Sequence, residues 1–265
     1  MVYADLHVHT TASDGALTPE TIPAAARSAG VDVVAVTDHD RLQPALDAPV
    51  TTLDGVTVIR GIELRVEAAS GQRVDLLGYG ARSTPALDEE IERLQRDRIE
   101  RGRAIVDAVE DRTGVALGVD AHEGIGRPHI ARAIADHPDL PQDYQGAFAE
   151  LIGNDCPCYT ARTLPTFERG REVLDEACAL VGLAHPLRYD DPASALALTS
   201  DLDAVERYYP YGEAVDHEPV ERSIREHDLV ATGGSDAHDE QLGVAGLSEA
   251  DYQPIEDALK RADES

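Results

Sequence analysis

Short apolar, β-branched runs recur along this chain with helical patterns between them, and this alternation constrains the fold more than any other feature. The runs are "VYADLHV", "VDVVAVT", "VTVIRGIEL", "RVDLLGYG", "LVGLAHP", "LDAVERYY" and "LVATGGSD". "VDVVAVT" is nearly all apolar, as expected of a parallel strand buried on both faces. Thr18 reads as the cap of a first helix with Pro19 at its first position, running to Ala29 and stopped by Gly30. Thr84-Pro85 opens a long polar helix closed by Gly114. Further helices are expected after "GRPH" near Arg127, from Thr166 to Leu180, up to His227, and in the C-terminal "QPIEDALKRADE". Strand alternating with helix places the chain in the α/β class, with a parallel sheet either wound or closed into a barrel. The mostly helical stretch 82–160 breaks the rhythm. The sequence therefore predicts a barrel built from 1–81 and 161–265, carrying 82–160 as a helical insertion or lid.

The ends of these runs carry the chemistry. The first ends in His7-Val8-His9, whose one-residue spacing puts two imidazoles on one face of a strand. The second ends in Thr37-Asp38-His39-Asp40, the third in Gly61-Ile62-Glu63, and the fourth contains Asp75. "ALVGLA" ends in His185-Pro186, and the last run ends in Gly233-Gly234-Ser235-Asp236-Ala237-His238. In parallel α/β folds, sites are assembled where the carboxyl ends of several strands meet. Mixed imidazole and carboxylate without cysteine suits manganese, iron or zinc in an open catalytic site better than a closed structural zinc. His7, His9, Asp14, His39, Glu63, Asp75, His185, Asp236 and His238 are too many ligands for one ion and would furnish two or three.

Composition narrows the partners. The 265 residues carry 51 Asp and Glu against 23 Lys and Arg, a formal charge of −28, and Lys260 is the only lysine. An acid-rich, lysine-poor chain fits life in very high salt, where the screening length falls to about 3 Å at 1 M and self-repulsion is quenched. Such a surface does not attract duplex DNA or anionic membranes, so a phosphorylated substrate must be held by local positive centres. Cys156, Cys158 and Cys178 cannot all pair within one chain, which fits a reducing cytoplasm and idle or buried thiols. No signal peptide is visible, and no segment approaches the roughly 18 apolar residues of a membrane span.

The motifs "DLHVHTTASDG", "VTDHD", "GIEL", "LLGYG", "AHP" and "GGSDAHD", in this order and over almost the whole chain, resemble the PHP (polymerase and histidinol phosphatase) family of metal-dependent phosphoesterases. "GRPHIARAI" narrows the resemblance to the branch of nucleoside 3',5'-bisphosphate phosphatases and 5'-to-3' exoribonucleases of short RNA. The resemblance implies a distorted seven-stranded, TIM-like β/α barrel holding up to three metals. One ion would take His7, His9, Glu63 and Asp236. A second would share Glu63 and take His185 and Asp75, where many relatives have His. A third would take Asp14, His39 and His238. The phosphate side would come from Arg127 and His129 of "GRPH" and from Arg188 of "HPLRY". Glu63, Asp236, Arg127, His129 and Arg188 would carry a reaction in which metal-activated hydroxide attacks phosphorus. The expected substrates are small nucleotides such as 3',5'-bisphosphates, or short RNA 5' ends.

Other readings stand beside this one. Histidinol-phosphate phosphatase would use the same chemistry, though "GRPH" speaks for the nucleotide branch. A non-catalytic metal-binding module, like the degenerate domains attached to DNA polymerases, would have lost ligands that this chain retains. A C–N hydrolase in a metal barrel has less use for arginines beside the metals. Asp38 reads as a partner that orients His39, Asp40 as a loop residue, and His122, His137, His217 and His227 as surface. Arg93 to Arg103 reads as a solvated helix face.

Overall fold

The computed structural model describes residues 1–264 apart from Glu213. The chain divides into two compact units, Met1–Glu89 with Leu164–Ser265, and Glu90–Thr163.

The first unit is built on a curled sheet. Its strands are β1 (Ala4–Val8), β2 (Val33–Val36), β3 (Val50–Leu53), β4 (Val56–Glu67), β5 (Arg73–Tyr79), β6 (Leu180–Leu183), β7 (Ala204–Tyr208) and β8 (Val230–Gly233). Seven of them follow in the order β1-β2-β4-β5-β6-β7-β8, and β3 pairs with β4 alone. Backbone bonds from His9 N–H to the Ala237 carbonyl (2.9 Å) and from Ala237 N–H to the His7 carbonyl (3.2 Å) join the segment after β8 back to β1. The result is the barrel-like α/β sheet expected of the chain. It is not wholly parallel, however. β5 runs antiparallel to both β4 and β6, because a short connection (68–72) turns β4 straight into β5 with no crossover helix. The reversal puts the start of β5, where Asp75 lies, level with the far ends of its neighbours.

Sequence reading missed the β3–β4 hairpin. Asp54 and Gly55, with φ of 46° and 85°, form the two-residue loop that such a hairpin favours. The first helix also starts later than expected. It spans Ile22–Ala29 with Pro23 in its first turn, because Thr18 N–H bonds to Thr21 Oγ1 and holds 18–21 in a preceding turn. Gly30, at φ 71°, ends it as expected. The long helix spans Pro85–Thr113, and the C-terminal one, Glu249–Asp263, begins at the Ser248 cap and keeps Pro254 inside.

Strand alternation decides what faces inward. Ile59, Leu77 and Ala204 belong to one buried cluster, with the C-terminal helix packed into it through Tyr252, Ile255 and Leu259. Two or four residues away on the same strand faces lie Glu63, Asp75 and Glu206, all buried. The apolar floor and the acidic end of the barrel are thus successive layers of one set of strands. In β1 the register with β2 shifts between Asp5 and Val8, so alternation is interrupted where His7 follows the buried Leu6. The outer face of β2, Val34 and Val36, packs with Ile22 and Ala26 of the first helix.

The second unit has its own core, in which Ile105 and Val109 of the long helix meet Ile130, Ile134, Leu151 and Ile152. The helix Arg127–Asp136 falls here. Among the described residues no helix is long and apolar enough to cross a membrane.

Gly234 shows how tightly the site end is packed. A Cβ there would overlap the His7 backbone nitrogen and Cβ. Gly234→Ala is expected to push β1 away and lower stability by about 1–3 kcal/mol, read as a fall in the thermal midpoint. An unchanged midpoint would contradict this packing.

Candidate metal centre

Glu63 sits at the centre of the acidic end of the barrel, 1% exposed. Its Oε1 lies 3.6 Å from His7 Nε2 and 3.1 Å from His185 Nε2. Its Oε2 lies 3.5 Å from His9 Nε2 and 2.7 Å from His39 Nδ1. Asp236 Oδ1 closes the group at 3.5 Å from His7 Nε2 and 3.2 Å from His9 Nε2. On the far side of His9, Asp14 Oδ1 lies 3.4 Å from His238 Nε2 and 3.8 Å from His39 Nε2. His185 Nε2 also lies 3.6 Å from Asp75 Oδ2. Three groups of potential ligands result: His7–His9–Glu63, His9–Asp14–His39–His238, and Glu63–Asp75–His185. Side chains from residue 7 to residue 238 thus converge on one carboxylate, and His9 adjoins two groups.

The donor set fits divalent ions on two counts. Buried His7 Nε2, both ring nitrogens of His9, and Asp14 Oδ1 have no hydrogen-bond partner in the protein, a cost that a folded chain rarely leaves uncompensated. In addition, 3.2–3.6 Å is the separation of two ligand atoms on one cation with bonds of about 2.1 Å. Electrostatics agrees. Burial disfavours the charged forms of Asp14, Glu63 and Asp236, yet the surrounding imidazoles outweigh it and hold all three well below the usual carboxylate range. Burial likewise opposes protonation of His7, but Glu206, Asp236 and Glu63 overcome it and raise its pKa. His238 is raised in the same way, with Asp14 as the main opposing partner.

Buried acids hold the ligands in place. Glu206 Oε1 lies 3.0 Å from His7 Nδ1, so the opposite nitrogen points at Glu63 and Asp236; Glu206 Oε2 accepts the His185 backbone N–H at 2.7 Å. Sequence reading missed this residue. Its signal was an acid at an inward position of the buried run "AVE". Asp38 is buried and anchors the segment after β1. It accepts from Thr10 N–H (2.8 Å), Thr10 Oγ1 (2.6 Å) and Ser13 Oγ (2.6 Å), which pins the loop that presents Asp14. Asp5 accepts from Ser235 N–H, Ser235 Oγ and Gly243 N–H, and so fixes the segment that carries Asp236. Asp40 is not simply a loop residue. It is buried, and its Oδ1 accepts the Arg65 backbone N–H. His185 (φ 29°) and Asp236 (φ 50°) both adopt left-handed backbone, a local strain that collects at functional sites.

Arg188 reaches this group. Its NH1 donates to Asp236 Oδ2 (3.0 Å) and to Tyr209 Oη (2.7 Å), while Tyr209 Oη donates to Asp236 Oδ2 (2.7 Å). Burial, then the Asp236 charge, keeps the Tyr209 phenol protonated. Arg127 and His129 belong to the second unit. Arg127 NH1 donates to Asn154 Oδ1 (3.1 Å) and the Ile152 carbonyl (3.3 Å). His129 Nδ1 accepts Gly126 N–H (3.0 Å) and caps the helix it begins. The arginines of the long helix are not all on a solvated face. Arg98 is buried and donates to the Ile125 carbonyl; Arg101 is half-buried and donates to the Thr160 carbonyl. Burial and the charges of Arg127, Arg162 and Arg98 make the Arg101 guanidinium easier to deprotonate than usual. Of the histidines read as surface, His122 and His227 are exposed and His137 and His217 half-buried. Cys178 is a half-buried thiol whose pKa desolvation pushes up to about 12.

Comparison with known proteins agrees with this geometry. The chain matches the PHP domain over residues 5–262. It is 29% identical over 245 residues to the phosphoribosyl 1,2-cyclic phosphate 1,2-diphosphodiesterase of Eggerthella lenta, covering 88% of this chain and 93% of that one. It is 28% identical over 198 residues to the 3',5'-nucleoside bisphosphate phosphatase of Chromobacterium violaceum, covering 72% and 69%. It is 28% identical over 256 residues to the 5'-3' exoribonuclease Rnm of Salmonella typhimurium, covering 89% and 85%. In fold it is similar to the solved structure of a Bifidobacterium adolescentis protein regarded as a metal-dependent phosphoesterase, with a TM-score of 0.78 at 22% identity over 97% of this chain and 96% of that one.

Two outcomes are expected. Cation binding must expel protons from His7 and His238, whose pKa values lie above the ordinary 6.5 of the ion-free ring. Apparent Mn²⁺ affinity should therefore climb as pH rises past that value, with proton release in calorimetry; a flat pH profile would contradict it. Glu206→Gln should weaken Mn²⁺ binding by about 10–100-fold, and unchanged affinity would deny it the orienting role.

Proposed function

The chain belongs to the PHP domain family, and on that premise we propose that it hydrolyses phosphate esters with two or three divalent ions held around Glu63. The observation that carries this reading is the set of buried, unpartnered imidazole and carboxylate atoms packed about that side chain. Divalent ions there would supply Lewis acidity and bring the pKa of a water toward about 7. Mn²⁺, Fe²⁺ and Zn²⁺ all suit imidazole with carboxylate.

The protein's own groups do the rest. Glu63, His7, His9, His39, His185, Asp236, Asp14 and His238 bind and space the ions. Arg188, held at Asp236 with the help of Tyr209, offers its remaining guanidinium donors to a phosphoryl oxygen arriving there. Arginine is suited to this, since its fork matches phosphate geometry. In the second unit Arg127, beside Arg98, Arg101 and Arg162, gives a local positive field in a chain of charge −28, of the kind that attracts phosphate. The favoured substrates are small nucleotides such as 3',5'-bisphosphates, or short RNA 5' ends. The names of the C. violaceum and S. typhimurium relatives support that class. The E. lenta relative, matched over 93% of its length, favours a cyclic phosphodiester as the second reading. The acid-rich, lysine-poor composition supports a halophilic cytoplasm as the setting.

The test is hydrolysis in molar salt with Mn²⁺ of adenosine 3',5'-bisphosphate (read as phosphate), a 5'-phosphorylated short RNA (as 5'-mononucleotide), a ribose 1,2-cyclic phosphate (as the ring-opened monoester) and histidinol phosphate (as phosphate), side by side. Hydrolysis is expected of the first two. Hydrolysis of histidinol phosphate alone would reassign the substrate, and no hydrolysis by metal-loaded protein would mark a binding module. Arg188→Ala should cut turnover by about 10²–10³-fold with the metal content intact.

A further inference from the structure

The three ligand groups are not equivalent. In the two that contain His9, buried donor atoms of several ligands have no partner in the protein, His7 Nε2, both His9 nitrogens and Asp14 Oδ1, whereas at the third corner His185 leaves only Nδ1 unpartnered and turns Nε2 to Glu63. At the Glu63–Asp75–His185 corner the carboxylate is already taken. Arg65 Nε donates to Asp75 Oδ1 at 2.7 Å and Arg65 NH2 to Asp75 Oδ2 at 2.6 Å, a two-pronged, charge-assisted pair. The pair is built into the sheet. Arg65 and Asp75 are directly opposed across the antiparallel β4–β5 ladder, so their side chains share one face. Asp75 has no exposed surface, and its backbone N–H is held by Tyr189 Oη, which itself donates to the Ala184 carbonyl beside His185. The remaining member, His185, turns Nε2 toward Glu63 Oε1 at 3.1 Å.

We propose that the Arg65 guanidinium is a resident cation at this corner, so that the protein fills the groups built on His9 first and binds an ion at Asp75 only weakly. A guanidinium satisfies one carboxylate as a divalent ion would, but it carries one charge and is tethered to the chain, so it is not lost to solvent when metal is scarce. An ion entering beside it meets a like charge at close range and must share or take over both Asp75 oxygens. The Arg65 side chain is 40% exposed, so it can swing away when metal is abundant, which makes this site conditional on metal concentration. The inference rests on reading these groups as a metal centre.

Wild-type protein and Arg65→Met, which keeps the stem and removes the charge, are titrated with Mn²⁺. Retained metal is counted after desalting, and ion positions are read from anomalous scattering of crystals grown at limiting and at saturating Mn²⁺. The expected result is two ions in the wild type at limiting metal, with no anomalous peak at Asp75. In Arg65→Met a third ion should appear there with affinity raised at least about tenfold, the lower end of what a neighbour of a ligand contributes. A peak bonded to Asp75 in the wild type at limiting metal, or equal third-ion affinity in both proteins, would overturn the proposal. If Arg65→Met does not fold, the wild-type maps at the two concentrations decide alone. Retention of no ion by folded wild type would instead overturn the metal reading itself, and this inference with it.

Discussion

The structure turns on one buried carboxylate. Glu63 has no water to ionise against, and in isolation burial would keep it protonated. Four imidazoles, those of His7, His9, His39 and His185, stand around its two oxygens; the charges of His39 and His7 and hydrogen bonds from His185 and His39 reverse that preference. This cluster is unfavourable as protein alone, because several donor atoms are buried without partners and their rings lie 4.2–5.9 Å apart. It becomes favourable when cations sit among the ligands. The barrel is therefore a scaffold that holds an electrostatically poor arrangement until metal relieves it.

What keeps such an arrangement from collapsing is a ring of buried acids on the side away from the centre. Glu206 fixes the orientation of His7 and anchors the turn at His185. Asp38 pins the loop from Thr10 to Ser13, and Asp5 pins the one from Ser235 to Gly243. Each carboxylate satisfies two or three donors, which makes a buried charge tolerable. The left-handed backbone at His185 and Asp236 is the local cost of turning their side chains inward. Glycine at 234 lets the last strand lie directly against β1.

Much of this was legible in the sequence because strand-end histidines and acids announce themselves. His7 and His9 share a spacing that packing alone does not reward, and Asp236 and His238 repeat it. What alternation and motif could not give was direction. The helix-free connection into β5 reverses that strand, and only the fold shows that this sets Asp75 opposite Arg65 and within reach of His185. Glu206 and Arg65 were passed over because each sits in a run that reads as ordinary strand, and their roles depend on partners 199 and 10 residues away. The helix arginines were misjudged for the opposite reason. Their alternation with acids looks like a solvated face, yet Arg98 is turned into the second unit by a carbonyl 27 residues away.

The central claim is that Glu63 is shared between ions rather than serving one. Low-temperature electron paramagnetic resonance of the Mn²⁺-loaded protein tests it directly. Two ions joined through one carboxylate should give the broadened, multiline signal of a spin-coupled pair, and Glu63→Gln should abolish the coupling. A simple six-line spectrum of isolated Mn²⁺ in fully loaded wild-type protein would contradict the account.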